Sequence, residues 1–192
     1  MRATTKDKKF LNINNLFLYK LFEILFSYVK INYQMKNKII IVGLNYEFCK
    51  SVANQLADDG GAFFLDVEDY LSYSLFDRNA MKEKCGIEYL IKQEQKAIKD
   101  CFEFENAVIN FPYEYFCTEE IYLLFKQNSI VIYLKHSKQT LEKLNQNESP
   151  SNTICYNERN KTLSQISDFI ISVGNKKQST IVKEIIDHIV GE

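Results

Sequence analysis

Residues 39–51 read IIIVGLNYEFCKS, and this stretch decides the fold. Ile39–Val42 is a short β-branched run, which is typical of a buried strand. A loop opens at Gly43, and Lys50–Ala57 is predicted to be helical. A buried strand that passes through a glycine turn into a helix is the usual first unit of a parallel α/β sheet.

The rest of the chain repeats this alternation of strand and helix. Strands are predicted at Ile39–Val42, Ala62–Leu65, Ala107–Asn110, Ile130–Leu134 and Phe169–Val173. Helices are predicted at 50–57, 67–76, 86–103, 118–127, 137–145, 153–164 and 179–190. Continuous apolar strands separated by helices indicate a sheet covered on both faces. We therefore expect an α/β fold, a three-layer α/β/α sandwich with a five-stranded parallel sheet and an N-terminal helical extension.

Charge divides the 192 residues into two parts. Residues 1–38 carry eight Lys/Arg and two Asp/Glu, whereas residues 39–192 carry 16 and 23, so a basic segment precedes an acidic domain. We expect a basic, apolar extension at 1–35 and one domain at 36–192. The overall net charge of −1 argues against a dedicated nucleic-acid binder.

The extension leaves three interpretations open. Residues 10–33 are rich in Leu, Phe, Ile and Tyr, but the longest uncharged stretch, Phe10–Tyr19, is too short to span a membrane. An apolar helix with basic residues favours peripheral contact with an anionic membrane surface. Packing of the extension on the domain is the second interpretation, and translation from Met35 instead of Met1 is the third.

The cysteines and histidines suggest no metal centre. Five cysteines are scattered without a Cys-x-x-Cys pair, and no secretory signal precedes them. This distribution predicts reduced thiols, most of them in the core, in a cytoplasmic protein. His136 and His188 are expected on helix surfaces.

The turn after the first strand resembles a phosphate-binding loop. The pattern Gly-x-x-x-x-Gly-Lys-Ser/Thr places backbone N–H groups and a helix N-terminus around phosphates. Gly43 opens the turn and Lys50-Ser51 closes it, but the spacing is one residue too long and the second glycine is absent. Phe48 in the glycine position would oppose close backbone approach, and Glu47 adds negative charge where phosphates would lie.

From Ile39 to Val190 the chain resembles the shikimate kinase family in the order and spacing of its elements. The resemblance implies ATP bound at Gly43, Lys50 and Ser51, with Mg²⁺ held by Ser51 and Asp66. Asp66 and Glu68, in the stretch Phe63–Glu68, are similar to the family's Asp-x-Asp element, which implies that Glu68 contacts the substrate and accepts its proton. Two acids that begin a helix and complement its dipole are the structural alternative.

The resemblance also assigns Arg159 to the substrate carboxylate, since a guanidinium pairs with a carboxylate bidentately. Other positions depart from the family. Its helix arginine falls on Ile91, its glycine triplet falls on Pro112-Tyr113-Glu114, and no arginine lies between Lys143 and Arg159, where a lid arginine is expected. Such an arginine neutralises charge that develops on the transferred phosphoryl group.

The sequence leaves three hypotheses about function. The first is a divergent shikimate-kinase-like protein with degenerate ATP and substrate motifs, weak or no kinase activity, and a binding or regulatory role toward a small molecule or protein partner. The alternative is an active ATP-dependent small-molecule kinase that phosphorylates shikimate through a rearranged loop. The third reading places function in the membrane-associated extension.

Overall fold

The computed structural model describes residues 38–117, 121–124, 129–144 and 155–191. Five parallel strands form one sheet in the order β2-β3-β1-β4-β5. The strands are β1 (Lys38–Gly43), β2 (Phe63–Asp66), β3 (Ala107–Pro112), β4 (Ser129–Lys135) and β5 (Phe169–Ser172). The structure confirms the predicted five-stranded parallel sheet, and each strand lies within two residues of its predicted bounds.

Helices flank the sheet on both faces. They are α1 (Tyr46–Gly60), α2 (Val67–Ser74), α3 (Arg78–Cys85), α4 (Ile87–Asp100), α5 (Lys138–Leu144), α6 (Tyr156–Ile166) and α7 (Gln178–Val190). Short 3₁₀ turns occupy Cys101–Glu103 and Tyr113–Cys117, and residues 121–124 are helical. Among the described residues, no helix is both long enough and apolar enough to cross a membrane.

The central strand β1 is buried along its whole length. Alternate side chains enter opposite layers of the core, because successive residues of a strand point to opposite faces. Ile40 and Val42 belong to one large apolar cluster, whereas Ile39 and Ile41 are buried outside it. Gly43 ends β1 in register with Pro112 of β3 and Leu134 of β4, so three strands end together at this edge.

The first helix begins earlier than predicted. α1 starts at Tyr46 and not at Lys50, because Asn45 acts as its N-cap and its side chain accepts a hydrogen bond from the Phe48 N–H. The chain has no glycine between Gly43 and Gly60 to hold a loop open. The predicted loop from Gly43 to Cys49 therefore folds as two turn residues followed by helix.

Other differences lie after β2 and β4. Residues 78–85 form α3, a helix that the sequence analysis lacked, and the predicted helix at 86–103 ends at Asp100. His136 is buried, not on a helix surface, because it directly follows β4 at the carboxyl ends of the strands. The extension at 1–35, the loop at 146–152 and parts of the predicted helices at 118–127 and 153–164 lie outside the described residues.

Candidate functional site

The turn between β1 and α1 is closed by tight packing. A Cβ atom added at Gly43 would lie 2.6 Å from Cys49 Sγ and 2.8 Å from the carbonyl oxygen of Leu134. Cys49 is 1% exposed, so its sulfur fills the space directly beside Gly43. The N–H groups of Phe48 and Cys49 donate to Asn45, to its side chain and its carbonyl oxygen respectively. These amides therefore belong to the start of the helix and not to a phosphate-binding loop.

Asp66 ends β2 and is the most heavily hydrogen-bonded carboxylate described at this edge. Its Oδ1 accepts the Tyr46 hydroxyl at 2.6 Å and the Asp69 N–H at 2.9 Å, the second bond being the N-cap of α2. Its Oδ2 accepts from Asn110 Nδ2 at 2.8 Å. The side chain is 1% exposed, so these bonds replace water around a buried charge.

Lys50 lies beside this carboxylate. Its Nζ is 2.8 Å from Asp69 Oδ2 and 3.7 Å from Asp66 Oδ1. The hydrogen bond to Asp69 raises the pKa of Lys50, and partial burial opposes that rise. The structure thus places Lys50 near Asp66 but pairs it with a neighbouring acid, Asp69.

Glu68 belongs to a second cluster, which joins α2, α3, α4 and the 3₁₀ turn after β3. Arg78 Nη2 donates to Glu68 Oε2 at 2.8 Å, and the Tyr115 hydroxyl donates to Glu68 Oε1 at 3.0 Å. Arg78 Nη1 lies 3.4 Å from both Glu94 Oε1 and the Tyr115 hydroxyl. Burial, with the nearby Glu68 charge, raises the pKa of Tyr115, so that hydroxyl stays protonated and donates. Both oxygens of Glu68 are thereby engaged by protein donors.

Ser51 faces a different helix. Its hydroxyl donates to Gln178 Oε1 of α7 at 2.7 Å, and Gln178 Nε2 donates back to the Ser51 carbonyl oxygen at 2.7 Å. The side chains assigned to Mg²⁺ by resemblance, Ser51 and Asp66, therefore have separate protein partners. Among the described residues, no group of three or more His, Cys, Asp or Glu could hold a metal ion. Mg²⁺ needs only one or two protein oxygens beside water and phosphates, and the two side chains assigned to it are both engaged by protein groups, so as they stand they do not fit a bound Mg²⁺.

Arg159 and His136 complete the described part of this edge. The Arg159 guanidinium carbon lies 4.4 Å from the centre of the Tyr113 ring, a cation–π contact with the position where the family has glycine. His136 is 3% exposed and makes an edge-on contact with Phe48, their ring centres 5.0 Å apart. Its Nδ1 has no hydrogen-bond partner among the described residues.

A family model decides the relationship. The model of shikimate kinase matches residues 50–190, which is most of the chain. The chain belongs to the shikimate kinase family. The match begins at Lys50, after the turn that α1 closes. No curated protein matches the sequence.

Solved shikimate kinases share the fold at low identity. The enzyme from Acinetobacter baumannii in complex with shikimate has a TM-score of 0.70 and 14% identity, over 83% of this chain and 96% of that one. The Aquifex aeolicus enzyme has a TM-score of 0.66 and 22% identity over 80% and 96%, and the Bacteroides thetaiotaomicron enzyme 0.65 and 12% over 81% and 99%. At these identities the similarity shows a shared fold alone and assigns no role to any residue of this chain.

Two residues at this edge of the sheet, Tyr46 and Arg78, were not predicted to belong to the site. Tyr46 was assigned to a loop, although Asn45 before a helical pattern is a readable N-cap signal. Arg78 had no motif around it, and only the folded chain brings it to Glu68. Its rarity was the available signal, because the sequence has three arginines and only Arg78 and Arg159 follow the extension.

Proposed function

We propose that this shikimate kinase family member acts by binding a small molecule or protein partner and has weak or no ATP-dependent phosphoryl transfer. The observation that carries the proposal is the early start of α1 at Tyr46, with Cys49 packed against Gly43. A phosphate cradle needs several backbone N–H groups to point into one open loop. Here the Phe48 and Cys49 amides are bonded to Asn45, and sulfur fills the space beside the glycine.

Charge around Lys50 supports the same proposal. To reach a phosphate, Lys50 would leave the Asp69 carboxylate 2.8 Å away, and Asp66 would compete for it as well. Glu47 adds a carboxylate to the first turn of α1. An exposed ion pair such as Lys50–Asp69 contributes less than about 1 kcal/mol, but the incoming triphosphate must still replace these pairs while it meets the like charge of the nearby carboxylates.

The residues that the resemblance assigns to shikimate do not form a site that is open to this anionic ring. Both oxygens of Glu68 already accept hydrogen bonds, which weakens its ability to take a proton from an alcohol. Tyr113 lies beneath Arg159, and Pro112 has no N–H to donate. We expect binding of shikimate weaker than millimolar.

The second candidate, an active small-molecule kinase, has one observation in its favour. Lys50 Nζ lies 3.7 Å from Asp66 at the carboxyl end of β2, so a lysine and an acid do meet at the edge where α/β proteins bind ligands. If α1 unwound at its first turn, Lys50 could approach a nucleotide. This candidate keeps Asp66, Glu68 and Arg159 in the roles that the resemblance implies.

Calorimetry with Mg²⁺ and ATP on the full chain separates the two candidates. We expect no heat of binding at millimolar ATP, and no product in a coupled assay with shikimate. Micromolar ATP binding that Lys50→Ala abolishes and the exposed control Lys96→Ala retains would establish the active kinase instead. A rise in melting temperature with several millimolar shikimate, removed by Arg159→Ala, would show an intact substrate pocket.

We also propose a reducing compartment for this protein. Cys49, Cys85, Cys101 and Cys155 are free thiols in the described residues, which favours a reducing compartment such as the cytoplasm. Peripheral membrane contact through residues 10–33 concerns residues outside those described. Sedimentation of the full chain with anionic vesicles tests that contact, and no binding to such vesicles would exclude it.

A further inference from the structure

The hydrogen bonds to Asp66 leave little of its carboxylate for a ligand. An ionised carboxylate offers about four lone-pair sites. Three are taken by Tyr46, the Asp69 N–H and Asn110, at 2.6, 2.9 and 2.8 Å. Two of these bonds end on Oδ1, which also faces the Lys50 ammonium at 3.7 Å. One site on Oδ2 is left, so a divalent cation or its bound water that approaches Oδ1, or that bridges both oxygens, would need one of the three positions already taken.

Tyr46 is the member of this set that the rearranged turn supplies. It is the first residue of α1, and the turn before it has only two residues. The side chain is half-buried, and burial together with its bond to Asp66 raises the pKa of Tyr46 far above its ordinary value. The hydroxyl donates to Asp66 Oδ1 at 2.6 Å and so covers that oxygen from the side of the turn.

Positive charge is also already present beside Asp66. The Lys50 ammonium lies between the carboxylates of Asp66 and Asp69. A divalent ion placed beside Asp66 would be repelled by that ammonium as well as blocked by the Tyr46 hydroxyl. The side chain of Ser51, the other metal ligand implied by the resemblance, is bonded to Gln178.

We infer that the Tyr46 hydroxyl occupies the position on Asp66 that a divalent cation would take, so the carboxyl end of β2 is closed to metal. Removal of the Tyr46 hydroxyl should therefore let a divalent cation bind Asp66. The inference goes beyond the proposed function, because it concerns metal binding in the complete absence of nucleotide. A protein without phosphoryl transfer could still bind a cation at Asp66. The experiments can therefore contradict this inference without contradicting the proposed function, and the reverse.

Mn²⁺ binding to the full chain, measured from the paramagnetic resonance signal of the free ion, tests the inference. We expect Tyr46→Phe to bind Mn²⁺ roughly ten- to a hundredfold more tightly than wild type, the equivalent of one hydrogen bond to a charged group. The matched control Tyr73→Phe removes a hydroxyl from a side chain that is 86% exposed, and should bind as wild type does. Asp66→Asn added to Tyr46→Phe should abolish the gain.

Two results would overturn the inference. The first is sub-millimolar Mn²⁺ binding by wild type that Asp66→Asn abolishes, which needs no Tyr46 variant to be interpreted. The second is a Tyr46→Phe protein with native circular dichroism and cooperative unfolding but unchanged Mn²⁺ affinity.

Discussion

Asp66→Ala and Asp66→Asn should differ widely in stability, although both remove the same charge. Alanine removes the N-cap of α2, which costs about 0.5–2 kcal/mol, and strands the buried Asn110 amide, which costs about 1–3 kcal/mol more. We expect a loss of about 1.5–5 kcal/mol in the free energy of unfolding. Few single substitutions at other kinds of position reach the upper part of that range.

Asparagine at position 66 can retain most of these hydrogen bonds. Its oxygen can still accept from the Asp69 N–H and the Tyr46 hydroxyl, while its NH₂ group would face Asn110 Nδ2. The Asn110 Oδ1 is buried without a hydrogen-bond partner among the described residues, so rotation of that amide by 180° supplies an acceptor. We expect Asp66→Asn to cost only about 1 kcal/mol.

Urea denaturation of the full chain, followed by far-ultraviolet circular dichroism, measures this difference. Asp69→Ala is the control, because that side chain is 68% exposed and pairs with Lys50 only at the surface. It should cost less than about 1 kcal/mol. Equal losses for alanine and asparagine at position 66 would refute the reasoning, since Asn110 would then have no part in the recovery.

Two further substitutions probe the closed turn and the buried histidine. Gly43→Ala should cost about 1–3 kcal/mol in urea denaturation, because its Cβ would lie 2.8 Å from a backbone oxygen. Gly60→Ala meets nothing within 4 Å, and an equal loss there would argue against packing as the cause. Burial lowers the pKa of His136 below 6.5, although a backbone hydrogen bond opposes this shift, so the unfolded chain binds the extra proton as the pH falls. The free energy of unfolding of the wild type should therefore decline below pH 6.5 by up to about 1.4 kcal/mol per pH unit. The decline should be less steep in His136→Leu, and equal slopes in the two proteins would contradict the role of His136.

The strands could be predicted from the sequence because their signal is local. Ile39–Val42 and Ile130–Leu134 are runs of β-branched and apolar residues, and burial on both faces of a parallel sheet requires such runs. The order of the strands, with β1 at the centre, depends on contacts between distant segments. The spacing of elements could suggest that order only through resemblance to a known family.

The start of α1 shows why motif matching failed where local physics would have succeeded. Aligning Lys50-Ser51 with a phosphate-loop pattern assigned Tyr46 to a loop, whereas Asn45 is a strong N-cap and no glycine follows it within the turn. The phosphate-loop pattern lacked its second glycine, whereas the N-cap pattern for a helix that begins at Tyr46 was complete.

The contacts of Arg78 and His136 could not be predicted for a different reason. Arg78 meets Glu68 and Glu94 only after α2, α3 and α4 have packed together. His136 is buried by a ring from another element, Phe48. Nothing in the residues next to either side chain indicates these partners.

The first turn of α1 also limits the mutational paths open to this protein. Glycine introduced at position 48 would leave Cys49 in the core beside Gly43 and Tyr46 bonded to Asp66. Recovery of an open phosphate loop would require the helix to unwind, the sulfur to leave its buried position and the tyrosine to release its acid. Each change alone would lower stability before any affinity for nucleotide appeared. Single substitutions toward an open phosphate loop would therefore pass through less stable proteins first.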